Sequence, residues 1–293
     1  MRASKTRLGE VARGLRELLS PCRLCPNACG VDRLAGEIGR CGVGLAPRVA
    51  SFGPHFGEEA PLVGRRGSGT VFFSGCSLAC LYCQNAEISQ ACEGTDLTVP
   101  DLAEIFLRIE ERGCPNLNLV TPTHQAHAIV DALSVAASRG FELPVVWNCG
   151  GYESVDVLRR LDGIVDLYMP DLKYGDSAIA EELSGISEYV ARSQEAVREM
   201  HRQVGDLELG PDGRAVRGLL VRHLVLPDGL AGTDRIVSFL ADEISRATFL
   251  NVMDQYHPAY RAFEHPSLRR RTTRRTWEAA VASARACGLH RFA

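Results

Sequence analysis

TVFFSGCSLACLYCQN, residues 70–85, carries an apolar, β-branched run into a glycine and then three cysteines, Cys76, Cys80 and Cys83, spaced C-x3-C-x2-C. A short apolar run closed by Ser-Gly reads as a buried strand, which puts the three thiols on the loop at its C-terminal end. Three thiolates on one tight loop can hold three irons of a [4Fe–4S] cubane and leave the fourth iron without a protein ligand, open to chemistry. Structural zinc is the rival, but it takes four protein ligands and no fourth lies beside the trio. Three unrelated buried thiols fit less well with a glycine and this spacing at a strand end.

Outward from this loop, apolar runs alternate with helical patterns. After 70–75 the strand candidates are LNLVTP (117–122), LPVVWNC (143–149), LYMPDLKY (167–174), VRGLLVRHLVLP (216–227) and FLNVMDQY (249–256). Helical patterns separate them at 99–113, 124–140, 152–163, one long segment at 177–205, and 233–245. Strand alternating with helix six times predicts an α/β fold, a partial (β/α)6 TIM-like barrel of parallel strands joined by right-handed crossovers. An open doubly wound sheet is the alternative. In a barrel the cysteine loop and the polar residues after the other strands meet at the C-terminal mouth. Asp171 and Lys173, just past an apolar strand, read as a pair that orients a zwitterionic ligand or simply pairs with itself. His257, between Tyr256 and Pro258, reads as a donor to a ligand or to a backbone carbonyl. His124 and His127 stand one helical turn apart, but no His-Glu-x-x-His pattern accompanies them and a metal role is disfavoured.

Before the barrel, CRLCPNACGVDRLAGEIGRCG (22–42) holds Cys22, Cys25, Cys29 and Cys41 as C-x2-C-x3-C-x11-C, in Gly- and Pro-rich text with no long periodic run. Four thiolates suit structural zinc or a second Fe–S cluster; the three-residue gap departs from the paired C-x2-C knuckles of a zinc ribbon and favours the cluster. Residues 5–19 form an amphipathic helix ahead of it. The expected division is an N-terminal helix and small Cys-rich metal-binding subdomain over 1–66, the barrel over 67–262 and a C-terminal helical tail over 263–293. Cys92, Cys114, Cys149 and Cys287 read as buried thiols, Cys149 alone being near the mouth. With 45% apolar residues and a net charge of only −3, the composition suits a globular protein and gives no electrostatic reason for a nucleic-acid or membrane partner. The basic N-terminus lacks the apolar core of a signal peptide and no stretch approaches the roughly 18 uncharged residues of a membrane span, so a cytoplasmic location is expected. Clustered thiols in a reducing compartment bind metal more often than they pair. No phosphate-binding or dinucleotide-binding glycine pattern supports ATP or NAD.

FFSGCSLACLYCQN resembles the cluster loop of the radical S-adenosylmethionine (SAM) superfamily, and closely that of the glycyl-radical-enzyme activating enzymes such as pyruvate formate-lyase activating enzyme. The resemblance covers roughly residues 68–262 and, with the N-terminal cysteines, extends to the PflX-type Fe–S proteins, described as homologues of those activators. It implies that the open iron chelates the amino and carboxylate groups of SAM and that one electron yields methionine and a 5'-deoxyadenosyl radical. It places Tyr82 against the adenine, and it aligns Thr121, Pro122 and Thr123 with a Gly-Gly-Glu-Pro segment whose glycines and glutamate are absent here. VVWNCGGY points to Asn148 near SAM, and PDLKY makes Asp171 and Lys173 candidates for its carboxylate or ribose. VRHLVLP and DQYHP suggest Arg222 and His257 at the same mouth. The implied function is hydrogen abstraction from a substrate, either a glycyl site of a partner protein or a small molecule or peptide, with a flavodoxin or ferredoxin as reductant. A non-catalytic electron-transfer protein is the remaining reading, and the missing fourth cysteine argues against it.

Overall fold

The computed structural model describes residues 4–293. Its sheet contains β1 (Arg48–His55), β2 (Ser68–Phe73), β3 (Thr95–Asp96), β4 (Leu117–Val120), β5 (Val145–Cys149), β6 (Leu167–Pro170), β7 (Glu208–Leu209), β8 (Ala215–Leu224), β9 (Phe249–Met253) and β10 (Arg291–Phe292). Six of them, β2-β4-β5-β6-β8-β9, stand side by side in chain order and all parallel. A doubly wound sheet would reverse its strand order at a switch point, and this one does not. The path is not closed: β1 and β3 extend it antiparallel at one edge and β10 extends it at the other. This is the open, partial TIM-like barrel expected from the sequence.

The inner faces of these strands follow the two-residue period. Val146 precedes Asn148 on β5, and Leu220 precedes Arg222 on β8. Met169 precedes Asp171 at the end of β6. The apolar members join Leu62 and Phe249 in a cluster at the lower end of the barrel, which leaves the polar members at the upper end. The connecting helices carry apolar stripes outside the sheet. That of Val99–Glu111 starts with a reciprocal Thr98–Asp101 capping box and buries Leu102, Ile105, Phe106 and Ile109. The helix Lys5–Arg16 buries Leu8, Ala12 and Leu15 and lies against the helix Ala126–Ser138.

Beyond the short strands β3, β7 and β10, which were not expected, two larger details depart from the sequence expectation. The segment 177–205 is two helices, Ser177–Ser184 and Tyr189–Val204, because Gly185 takes φ +67 and ends the first. Strand β1 was not expected, since Gly53 and Pro54 interrupt its pattern. Pro54 is tolerated because β3 covers β1 only at Arg48 and Val49, so the outer edge beside Pro54 has no strand neighbour. Among the described residues no helix is long and apolar enough to cross a membrane.

Candidate active site

The loop after β2 begins with Gly75 at φ +80; a Cβ there would lie 2.3 Å from the Cys41 carbonyl oxygen, so glycine alone fits. Its N–H donates to Ile88 O (2.8 Å), and further on Leu81 N–H donates to Leu183 O (2.8 Å) while Leu81 O accepts from Arg261 N–H (2.9 Å). The loop is therefore fixed from three sides. Cys76, Cys80 and Cys83 open into one cavity, together with Ser89, Thr121, Thr123, Asn148, Cys149, Asp171, Lys173 and Arg222. Each sulfur has a polar neighbour. Leu78 N–H donates to Cys76 Sγ (3.4 Å), Ser184 Oγ donates to Cys80 Sγ (3.0 Å), and Ser89 Oγ lies 3.1 Å from Cys83 Sγ. Ser184 in turn is 2.6 Å from the Tyr174 hydroxyl.

Opposite the sulfurs, the strand ends supply a charged network. Asp171 accepts from Lys173 Nζ (2.7 Å) and from Arg222 Nε (2.8 Å), and Arg222 Nη2 donates to Asn148 Oδ1 (2.7 Å). Burial works to raise the Asp171 pKa, but Arg222 and Lys173 outweigh it and hold the carboxyl below its usual range. The Tyr189 hydroxyl accepts from Lys173 N–H (2.9 Å) and faces the carbonyls of Asp171 (2.8 Å) and Gly150 (2.9 Å), tying the turns after β5 and β6 together. Behind Arg222 lie two carboxylates: Glu58 at 3.5 Å and Glu59 at 3.9 Å. Burial pushes Glu58 up to about 7 against the pull of Arg222. Glu59 Oε1 accepts from Asn251 Nδ2 (3.0 Å), and its Oε2 meets no hydrogen-bond donor among the described residues.

Comparison with known proteins agrees with this arrangement. Residues 70–207 match the family model of the radical SAM superfamily. The uncharacterized protein MJ0674 of Methanocaldococcus jannaschii is 32% identical over 270 residues, covering 88% of this chain and 72% of its own. The chain belongs to the radical SAM superfamily. The hydrogenase maturase HydG of Carboxydothermus hydrogenoformans shares the fold at a TM-score of 0.50 and 12% identity, over 73% of this chain and 49% of its own. A looser likeness, with a TM-score of 0.44 and 9% identity, over 60% of this chain and 49% of its own, is to anSMEcpe with bound AdoMet.

Membership in the radical SAM superfamily implies a [4Fe–4S] cluster and SAM, and the residues present fit both. Burial pushes the Cys76 thiol up to about 12 and also raises Cys80, so a strongly cationic group such as the cluster irons is needed to draw thiolates from them. The N–H and O–H donors already aimed at Cys76 and Cys80 are the kind that tune cluster-bound sulfur. Asp171, Lys173 and Arg222 offer both charges to a zwitterion.

The remaining expected residues fall at varying distance from the cavity. Thr121 and Thr123 line it and Pro122 between them does not. Thr121 is held at φ +59, costly for a β-branched residue, with its N–H on Asn148 O (2.8 Å). Tyr82 is buried edge-on between Tyr174 and Tyr256, outside the lining. His257 is also outside it, 3.2 Å from Gln84 Nε2 at the end of the cysteine loop. His124 and His127 are buried against the carbonyls of Ser74 and Leu45 (2.9 Å each), and burial depresses them to about 4 and about 3. Of the N-terminal cysteines, Cys22, Cys25 and Cys41 are buried and Cys29 is exposed. Burial raises both Cys25 and Cys41, with a further contribution from neighbouring thiols.

Several site residues gave no sequence signal. Ser184 and Tyr189 were hidden in a helical pattern, and Glu58 and Glu59 in aperiodic text. Glu153 is the least expected. Its carboxyl is fully buried, accepts from Thr123 Oγ1 (2.5 Å) and Trp147 Nε1 (3.4 Å), and is pushed up to about 7 by burial. Because the unfolded value is near 4.5, the folded chain keeps a proton that the unfolded chain releases as pH rises from about 4.5 to about 7, so this group costs stability across that window. The size is on the order of 3 kcal/mol. Glu153→Gln is therefore expected to gain on the native chain in urea unfolding as pH rises from about 5 to about 8; parallel pH profiles would contradict this.

Proposed function

We propose that this chain is a radical SAM enzyme of the PflX type, related to the glycyl-radical-enzyme activating enzymes. The reading rests on one observation: three cysteines of a single strand-end loop share a cavity with Asn148, Asp171, Lys173 and Arg222. Cys76, Cys80 and Cys83 would hold the cluster. When bound, cluster and SAM supply reductive cleavage to methionine and a 5'-deoxyadenosyl radical, which takes a hydrogen atom from the substrate. The chain's own residues bind and orient. Asp171, Lys173 and Arg222 together carry one net positive charge, which attracts the SAM carboxylate, and Asp171 keeps the two cations in place. Asn148, fixed by Arg222, presents its amide to the same cavity. A glycyl site on a partner protein is the leading substrate. The Thr-Pro-Thr text in place of Gly-Gly-Glu-Pro at the end of β4 favours a second reading, modification of a small molecule or peptide. A flavodoxin or ferredoxin in the cytoplasm would serve as reductant.

The test is anaerobic purification, reconstitution with iron and sulfide, and measurement of 5'-deoxyadenosine formed from SAM with dithionite. Formation dependent on both supports the reading. A fully loaded cluster that never cleaves SAM overturns it in favour of a non-catalytic electron carrier.

A further inference from the structure

The N-terminal cysteine segment is docked onto the neighbours of Cys76. Asn27 Nδ2 donates to Ser77 O (2.7 Å), on one side of that cysteine. On the other side the Cys41 carbonyl lies so close to Gly75 that no side chain fits between them. Both flanks of one ligand of the central loop are thus held by residues of the second cysteine group.

That group also has a built charge environment. Arg33 is 1% exposed, and its guanidinium donates to carbonyl oxygens only: Nε to Gly44 O (3.1 Å), Nη1 to His124 O (2.7 Å), and Nη2 to Gly44 O. Among the described residues it pairs with no carboxylate. A buried cation without an anion is costly, and a metal–thiolate centre of net negative charge would supply one. Zinc is the other group that four thiolates could hold, and the three-residue gap between Cys25 and Cys29 departs from its paired C-x2-C knuckles.

We propose that Cys22, Cys25, Cys29 and Cys41 hold a second [4Fe–4S] cluster in electron-transfer contact with the one at Cys76, Cys80 and Cys83. The inference rests on the reading that the central trio holds a cluster. The second centre is oriented: Cys29 is exposed, whereas Cys41 backs onto Gly75. A low-potential donor of the flavodoxin or ferredoxin class reduces it by one electron at the Cys29 side. The same electron leaves at the Cys41 side, reoxidising the N-terminal centre and reducing the central one.

The test compares three full-length preparations reconstituted without oxygen: the native chain, the triple variant Cys76→Ala, Cys80→Ala, Cys83→Ala, and Cys29→Ser, chosen because an exposed residue perturbs packing least. Iron, sulfide and zinc are quantified, and dithionite-reduced samples are examined by electron paramagnetic resonance with and without SAM. About eight irons are expected in the native chain and about four in the triple variant. The triple variant's signal should ignore SAM, and the native spectrum should be broadened relative to the sum of the variants by coupling between neighbouring spins. Cys29→Ser should lose SAM cleavage driven by a flavodoxin-class protein and retain cleavage driven by dithionite. Zinc in place of iron, a triple variant without iron, a native spectrum that is the plain sum, or donor-independent behaviour of Cys29→Ser would each overturn the proposal. Failure of the central reading looks different: a Cys29→Ser cluster whose signal does not respond to SAM.

Discussion

Cys80→Ala is expected to yield a folded chain whose 5'-deoxyadenosine production falls to background. Two thiols cannot retain a cubane that three were placed to hold, and an enzymatic acceleration of at least about 10^6 disappears with it. No neighbour can substitute. Cys149 lines the same cavity, but it is fully buried, its thiol is driven far up by burial, and it stands at the end of β5 rather than on the loop. The loss is not one of folding. Ser184, which donates to Cys80, keeps its contact with Tyr174 (2.6 Å), so the substitution costs only the roughly 1–2 kcal/mol of a weakened hydrogen bond. Thermal unfolding of the metal-free chains should therefore nearly coincide while iron content and SAM cleavage separate. Ser184→Ala is the complementary case, in which iron stays and the spectrum or potential of the cluster shifts because the hydrogen bond to sulfur is gone, together with the contact to the Tyr174 hydroxyl. A Cys80→Ala chain that still cleaves SAM would remove this cysteine from the site.

The parts of this architecture visible in the sequence are those with local causes. All six parallel strands were legible because each is a short apolar run closed by turn residues. The cysteine trio was legible as a group because its three members lie close together in sequence on one strand-end loop. What escaped notice depends on partners remote in sequence. Glu58 meets Arg222 across 164 positions, and Ser184 meets Cys80 across 104. No periodicity can announce such pairings, since a lone carboxylate or hydroxyl reads as surface until the fold buries it. The break at Gly185 was missed for a related reason. The apolar stripe continues through it, yet only the break brings Ser184 to the sulfur and Tyr189 to the turn at Lys173. Gly75 shows the opposite case, where a local glycine was read as closing the strand while the reason that it must be glycine, the Cys41 carbonyl, lies outside the barrel.

Asp171→Ala is expected to destabilise the metal-free chain by about 1–3 kcal/mol in denaturant unfolding at neutral pH, because it leaves the partly buried cations Lys173 and Arg222 without their shared carboxylate. The acid limb of the stability profile should change as well. The folded pKa of Asp171 lies below its unfolded value near 3.8, so its contribution is complete above that value and is lost as pH falls through the folded one. The variant should lack that part of the acid decline. Arg222 has a second carboxyl within reach in Glu58, which is held near 7 by burial and further raised by the charges of Glu59 and Asp171. Removing Asp171 takes away one of those repulsions and leaves Arg222 without its main partner, so Glu58 should ionise at lower pH and recover part of the loss. The double substitution Asp171→Ala, Glu58→Gln should then cost more than the sum of the single ones, by roughly 0.5–3 kcal/mol, the range for charged residues sharing a network. Additive values would mean that Arg222 is held by Asp171 alone and that the carboxylates behind it serve only to fill the barrel.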